Sequence, residues 1–248
     1  MKILLSPAKK LDFSKSPIIQ NEQGSVFEKK TIKLQKALKK FPVQKIGTLM
    51  KLSPQLSQLN FDRFQRMGEP TNEKSLSGYA FNGEAYSGLD ITSFSERDLE
   101  EAESKLRILS GLYGVLKPSS VIEPYRLEMG TKLVLDNNKN LYEFWGDDIL
   151  NFLKKEEQEL IINLASNEYN KAAKLKQFNG VVITPNFKEF KNGDYKTIMV
   201  FAKKARGKMA RWIIQNRVKK AEEIKNFTED GYIFNEELSF GNDWIFTR

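Results

Sequence analysis

Residues 201–217 read FAKKARGKMARWIIQNR, six Lys or Arg with no acid among them. Cations at this density suit one kind of chemistry above all, the holding of phosphate or another anion. Three of the six are arginines (Arg206, Arg211 and Arg217), whose planar fork can meet a phosphate through two parallel hydrogen bonds. If 207–218 is helical, Met209, Trp212 and Ile213 share one side, and Lys208, Arg211 and Gln215 lie along another at i, i+3 and i+7. Lys203, Lys204 and Arg206 would then precede the helix and join its N-terminal amides around an anion, with Gly207 permitting close backbone approach. The plainer alternative is a solvated basic face offset by acidic neighbours.

Two other stretches could take part. SPAKK at 6–10 follows an apolar run, so Ser6 and Lys9 could form an anion pocket at a strand end, or Ser-Pro could merely end the strand. LRILSGLYGVLKP at 106–118 joins two apolar segments through Gly-Leu-Tyr-Gly, which resembles a helix-hairpin-helix turn. In that motif Gly111 and Gly114 would present backbone amides to a DNA phosphate and Lys117 would assist; the alternative is a glycine C-cap and a turn that need no ligand. The carboxylates Glu123, Glu128, Glu143, Asp147 and Asp148 are best read as salt-bridge partners of Arg126 and nearby lysines, and no metal site or other cofactor is expected.

Composition narrows the chemistry further. The 248 residues contain no Cys and no His, which excludes disulfides, thiolate nucleophiles, zinc fingers, Ser-His-Asp triads and direct thiol reduction of peroxide. Acid–base work would fall to Asp, Glu, Lys or Tyr, shifted by burial or charged neighbours. No Walker-type GxxxxGK[ST] or GxGxxG pattern occurs. The net charge of +8 is uneven: Lys191–Lys220 carries ten Lys or Arg against Asp194 alone, and Lys29–Lys51 carries eight Lys and no acid. Two basic blocks in an otherwise acidic chain suit a polyanionic partner. No run approaches the roughly 18 apolar residues of a membrane helix, and MKILLSPAKK turns polar too soon for a signal peptide, so a cytoplasmic protein without membrane contact is expected.

Positioning these residues requires a scaffold, and the pattern predicts one of mixed α/β type. KILLS reads as a buried strand, followed by helices over about 25–40, 42–51 and 53–66, the last opening at Ser53-Pro54. TSFSERDLEEAESKLRIL starts with a capping-box pair, Ser95 and Asp98, and places Leu99, Ala102, Leu106 and Leu109 on one helical face, with Ser110-Gly111 as the stop. LYEFWGDDILNFLKK reads as a further helix; LIINLA, VVITP and YKTIMVFA read as sheet strands. No linker or repeat is visible, so one domain spanning 1–248 is the simplest organisation.

Taken together, MKILLSPAKKLD, LRILSGLYGVLKPSSVIEPYRLEMG, LYEFWGD, INLASNEY, VITPNFKE and NGDYKTIMVFAKKARGKMARWIIQNR resemble the YaaA family of bacterial peroxide-stress proteins, collinearly from Met1 to near Arg248. The resemblance implies a cytoplasmic DNA-binding protein that aids survival of hydrogen peroxide and is associated with limiting free intracellular iron. It also implies a single-domain α/β sheet flanked by helices, with a helix-hairpin-helix element beside a basic cleft. On that reading the DNA surface comprises Lys203, Lys204, Arg206, Lys208, Arg211 and Arg217, together with Gly111, Gly114 and Lys117, contacting duplex DNA with weak sequence specificity. The family commonly has SPAKT where this chain has Lys10, and an acid where it has Asn167. The alternative expectation is an enzyme acting on a phosphorylated or anionic small molecule, with Ser6, Lys9, Lys203, Lys204 and Arg206 converging in one pocket.

Overall fold

The structure is a computed structural model that describes residues 1–19 and 23–248. β1 (Lys2–Leu5) opens the chain and β2 (Lys10–Leu11) follows. Next come α1 (Glu28–Lys39), α2 (Val43–Met50) and α3 (Pro54–Arg66), close to the predicted spans. Ser53 caps α3 by accepting a hydrogen bond from the Leu56 N–H, and Pro54 sits where its missing N–H costs nothing.

Four short elements follow: β3 (Ser75–Leu76), α4 (Ser77–Ala80), β4 (Phe81–Asn82) and α5 (Glu84–Leu89). α6 (Glu96–Lys105) begins at the expected capping box, Ser95 Oγ accepting from the Asp98 N–H at 3.3 Å and Asp98 Oδ2 from the Ser95 N–H at 3.1 Å. The helix ends sooner than predicted. Leu106 and Leu109 belong to β5 (Leu106–Ser110), which pairs with β6 (Gly114–Leu116); β7 (Val121–Ile122) pairs with β3. The apolar spacing here satisfies either period, and all five β5 residues are buried, as an internal strand requires.

The predicted helix over LYEFWGDDILNFLKK is two, α7 (Leu141–Trp145) and α8 (Asp148–Glu156), split where Gly146 takes φ 53°. β8 (Leu160–Asn163), α9 (Asn167–Ala173), β9 (Val181–Lys191) and β10 (Asp194–Lys196) follow, then α10 (Met199–Gln215), β11 (Ile233–Phe240) and β12 (Asp243–Thr247). YKTIMVFA is therefore not a strand: only its first two residues lie in β10, and Met199 already begins α10. β9 takes β8, β12 and the short β10 as partners, which leaves 197–202 without a ladder. Strand preference is largely a packing effect, and without a partner the Ala/Lys-rich continuation decides for helix.

The main sheet has eight strands in the order β11-β12-β9-β8-β1-β5-β6, with β10 on β9. β12, β9, β8, β1 and β5 run parallel; β6, β10 and β11 are antiparallel additions. Ile3, Leu4 and Leu5 of central β1 are fully buried, so both faces of the sheet are covered. α10 packs on α5, α6, β9 and β1, while α7 and α8 pack on α9. From β1 the chain moves one way to β5 and β6, then returns to β8 on the other side and continues outward to β9. The switch in winding lies between β1 and β8, and open α/β sheets bind ligands outside the strand carboxyl ends at such a point. Among the described residues no helix is long and apolar enough to cross a membrane.

Candidate functional site

The cations predicted as one cluster are distributed by α10 to different destinations. Helical spacing puts Met199, Lys203 and Arg206 on one face and Lys204, Lys208 and Arg211 on another, either side of a buried stripe containing Ala202, Ala205, Met209 and Ile213. Lys208 is ion-paired with Asp230, and Arg211 with Asp90 at 3.3 Å, the same guanidinium donating to Ser93 Oγ. Arg217, just past the helix, meets Asp98 at 2.7 Å. Three of the six candidates are thus neutralised inside the molecule. Lys203, Lys204 and Arg206 form no ion pair with any described acid. They also lie within α10 instead of preceding it, so the expected arrangement of cations around a helix N-terminus is absent.

Lys203 and Arg206 face a cavity of about 580 Å³ at the carboxyl ends of β1 and β8. Its walls come from the 6–10 loop, the start of α5, residues 125–128, the start of α9 and the first turns of α10. Ser6 ties the strand ends together: its Oγ accepts from the Ser166 N–H at 2.8 Å and donates to Ser166 Oγ at 3.3 Å, while the Tyr86 hydroxyl donates to the Ser6 carbonyl at 2.9 Å. Ser6 therefore ends the strand, as one of its two readings has it, and also lines the cavity. Lys9 also lines it, paired with Glu128 at 2.7 Å; Glu128 in turn accepts from Arg126 at 3.3 Å. Lys10 adds a further cation. Arg126, Lys10 and the tyrosines of this site were not singled out by sequence spacing, because three separate loops bring them together.

Burial lowers the pKa of Arg206, and neither Arg206 Nε nor Arg126 Nε has a hydrogen-bond partner among the described residues. Burial pushes the Tyr86, Tyr125 and Tyr169 phenols upward, so all three are neutral hydroxyls at physiological pH. The chemistry available is anion binding by cations with neutral hydroxyls and carboxylates nearby. The Lys9–Glu128 pair is no buried proton-transfer couple, since Lys9 is 63% exposed. A second depression, of about 640 Å³ beside α3, mixes Asp12, Asp62 and Glu73 with Arg63, Arg66 and Lys74, and so has no excess of either sign.

The GLYG segment differs from its predicted form. It is the turn of the β5–β6 hairpin, flanked by strands where a helix-hairpin-helix needs helices. Ser110 Oγ accepts from the Leu112 and Tyr113 N–H groups, and the Gly111 carbonyl accepts from Trp145 Nε1–H. A Cβ on Gly111 would lie 2.4 Å from the Leu127 carbonyl oxygen, and one on Gly114 (φ 73°) would meet Trp145 at 2.8 Å. Both glycines thus serve core packing. Lys117 lies within electrostatic reach of Lys2 and Glu156, at the opposite end of β1 from Ser6. A helical hairpin occurs elsewhere: α2 packs on α3 through a turn at Lys51–Ser53, Lys51 adopting φ 53°, with Lys45 and Lys51 exposed.

The remaining carboxylates are engaged in internal contacts. Glu123 accepts from the Gly68 N–H and Asn72, Glu143 accepts from the Lys139 N–H, Asp147 pairs with Lys174, and Asp148 pairs with Lys30.

Comparison with known proteins places this architecture in a family. The family model described as peroxide stress protein YaaA matches residues 1–238. A UPF0246 protein of Colwellia psychrerythraea is 47% identical over 256 residues, covering 100% of this chain and 99% of that protein. Another, from Saccharophagus degradans, is 45% identical over 255 residues, with 100% and 99% covered. One from Clostridium perfringens is 46% identical over 251 residues, with 99% and 98% covered. With a family model spanning nearly the whole sequence and relatives matched end to end, the chain belongs to the YaaA (UPF0246) family of peroxide stress proteins.

Proposed function

We propose that this chain serves the peroxide stress response by binding duplex DNA along its phosphate backbone, with Lys10, Lys203, Lys204 and Arg206 as the principal contacts. The observation that carries this reading is that these four cations form no ion pair with a described acid, while Lys208, Arg211 and Arg217 are neutralised internally. Lys45 and Lys51 on the α2–α3 hairpin add a second exposed basic patch. Lysine contacts to phosphate carry no base information, so sequence specificity is weak. Protection of DNA, and any limitation of free iron, would follow from what the protein binds, because a chain without cysteine has no thiol to reduce peroxide.

The test is fluorescence-anisotropy titration of a labelled duplex across a salt series, with heparin as competitor, for the wild type and Lys203→Glu/Lys204→Glu. Affinity falls steeply with salt, and loss of two phosphate contacts lowers the log–log slope by about 1.8. Unchanged affinity in the double variant, or equal displacement by heparin, overturns the reading.

A second reading, an anionic small-molecule site in the same cavity and with it an enzyme acting on such a molecule, is favoured by one observation that DNA steering does not need. Arg126 and Arg206 both line the cavity, and Arg206 is desolvated there with no acid partner among the described residues.

A further inference from the structure

Among the described residues three buried side-chain polar atoms lack a hydrogen-bond partner: Thr31 Oγ1, Arg126 Nε and Arg206 Nε. Two of the three belong to residues that line the same cavity, Arg126 and Arg206. A buried donor without an acceptor is destabilising, more so on a charged group, and native structures retain few of them without a functional reason. Arg126 has one terminal nitrogen on Glu128 at 3.3 Å and an unused Nε; Arg206 has no acid partner at all. Both Nε atoms are sealed from the cavity, so an anion would be met by the terminal guanidinium nitrogens, through charge-assisted bonds that compensate the desolvated charge of Arg206.

We propose that the cavity binds a phosphate monoester carried on a nucleoside-sized body, gripped between Arg126 and Arg206, with Lys9 and Lys203 at the rim. This rests on the reading of the cavity as an anionic-ligand site; it shares Lys203 and Arg206 with the proposed duplex contact, and Arg126, which belongs to the cavity alone, separates the two. Charge selects the monoester. The lining carries five cations (Lys9, Lys10, Arg126, Lys203 and Arg206) against three carboxylates, an excess of two. A phosphate monoester brings about −1.5 to −2 at neutral pH, while a diester or a simple carboxylate brings only one charge.

Size and lining select the body. A volume of about 580 Å³ lies in the range of small-molecule sites and far exceeds a bare phosphate. Leu127, Leu164, Met199 and the tyrosine rings supply apolar wall, while Glu84 and Glu168 can accept from hydroxyl or amino groups, the combination a sugar-linked base presents. The same chemistry is offered by a free mononucleotide and by the 5′-phosphorylated end of a DNA strand.

Calorimetric titration of the full chain with thymidine monophosphate, thymidine, inorganic phosphate, and an oligonucleotide with a 5′-phosphate or a 5′-hydroxyl tests this. Thymidine monophosphate binds at least about ten-fold more tightly than either thymidine or inorganic phosphate, and Arg206→Gln or Arg126→Gln, checked for folding by circular dichroism, weakens it about ten-fold or more. Lys203→Met, at an exposed position that does not threaten folding, weakens it several-fold and decides the matter if the arginine variants misfold. Preference for the 5′-phosphorylated oligonucleotide over its hydroxyl form identifies a strand end as the source; equal binding of the two oligonucleotides identifies the free nucleotide. Equal affinity for thymidine and its monophosphate, or unchanged affinity in a folded variant, overturns the proposal. Arg206-dependent binding of inorganic phosphate no weaker than the monophosphate overturns the nucleotide alone, whereas failure of every anion to bind overturns the anionic-site reading beneath it.

Discussion

Arg217 adopts φ 54° immediately after α10, and that left-handed backbone sends its guanidinium to Asp98 at 2.7 Å and to the Ile214 carbonyl. The hydrogen bond from Ser95 and then the contact with Arg217 hold the Asp98 carboxyl below its ordinary value of 3.8. A depressed carboxylate supports the fold above its unfolded pKa and loses that support as pH falls through the lower folded value. Arg217→Gln should therefore raise the Asp98 pKa towards 3.8 without abolishing the shift, because Ser95 remains. A carboxyl-detected NMR titration reads this directly; an unmoved Asp98 would mean that Ser95 alone sets it. At this scale a basic residue in the sequence is not yet a basic surface. Lys208, Arg211 and Arg217 all find acids distant in the chain.

The crossing of α5 and α10 decides where the remaining cations point. A Cβ on Gly207 would lie 1.7 Å from the Ala85 carbonyl oxygen, and one on Gly88 2.2 Å from the Lys204 carbonyl oxygen, so the two helices meet backbone to backbone through these two glycines. Gly207 does permit close approach, but to α5 and not to a phosphate. Gly207→Ala should cost at least about 1–3 kcal/mol by overpacking, seen as a lower urea midpoint at unchanged slope. Because Ala85 and Tyr86 on α5 and Met199, Lys203 and Arg206 on α10 share the cavity wall, the same change should also alter ligand affinity. A variant as stable as the wild type would show that the helices separate without loss.

Across the whole molecule the central strand β1 has contrasting ends. Its carboxyl end opens on the cavity, whereas its amino end is closed by Lys2 beside the ion pair of Arg107 with Glu156, at 2.5 and 2.8 Å. Arg107 is 2% exposed and fastens β5 to α8. Burial alone would raise the Glu156 pKa, but the hydrogen bond and charge of Arg107, with Lys2 and Lys117, outweigh it and leave it below 4.5. The stabilisation is present above 4.5 and lost as pH falls through the lower folded value. Thermal unfolding across about pH 3 to 6 should show the wild-type midpoint falling at the acid end, with a flatter profile for Glu156→Gln. Arg107→Met leaves the partly buried Glu156 carboxylate with only Lys2 and Lys117 nearby and should cost less than the about 3–5 kcal/mol of a fully buried pair broken on one side. Parallel acid profiles for wild type and Glu156→Gln would remove the pair from this account.

Local rules were legible in the sequence because their causes are local. The Ser95–Asp98 capping box, Ser53-Pro54 at the start of α3 and the apolar KILL run each act over a few residues and form where expected. The absence of Cys and His and the collinear motifs likewise needed no coordinates to exclude thiol chemistry and point to the family. Tertiary structure alone decided which cations remain unpaired, since their neutralising acids Asp90, Asp98 and Asp230 lie on separate elements. It also turned GLYG into a buried hairpin, because the apolar period of LRIL fits helix and strand alike and only pairing with β1 settles it. The cavity lined by Arg126 and Arg206 exists only because the switch in winding between β1 and β8 leaves their carboxyl ends for three loops and α10 to enclose.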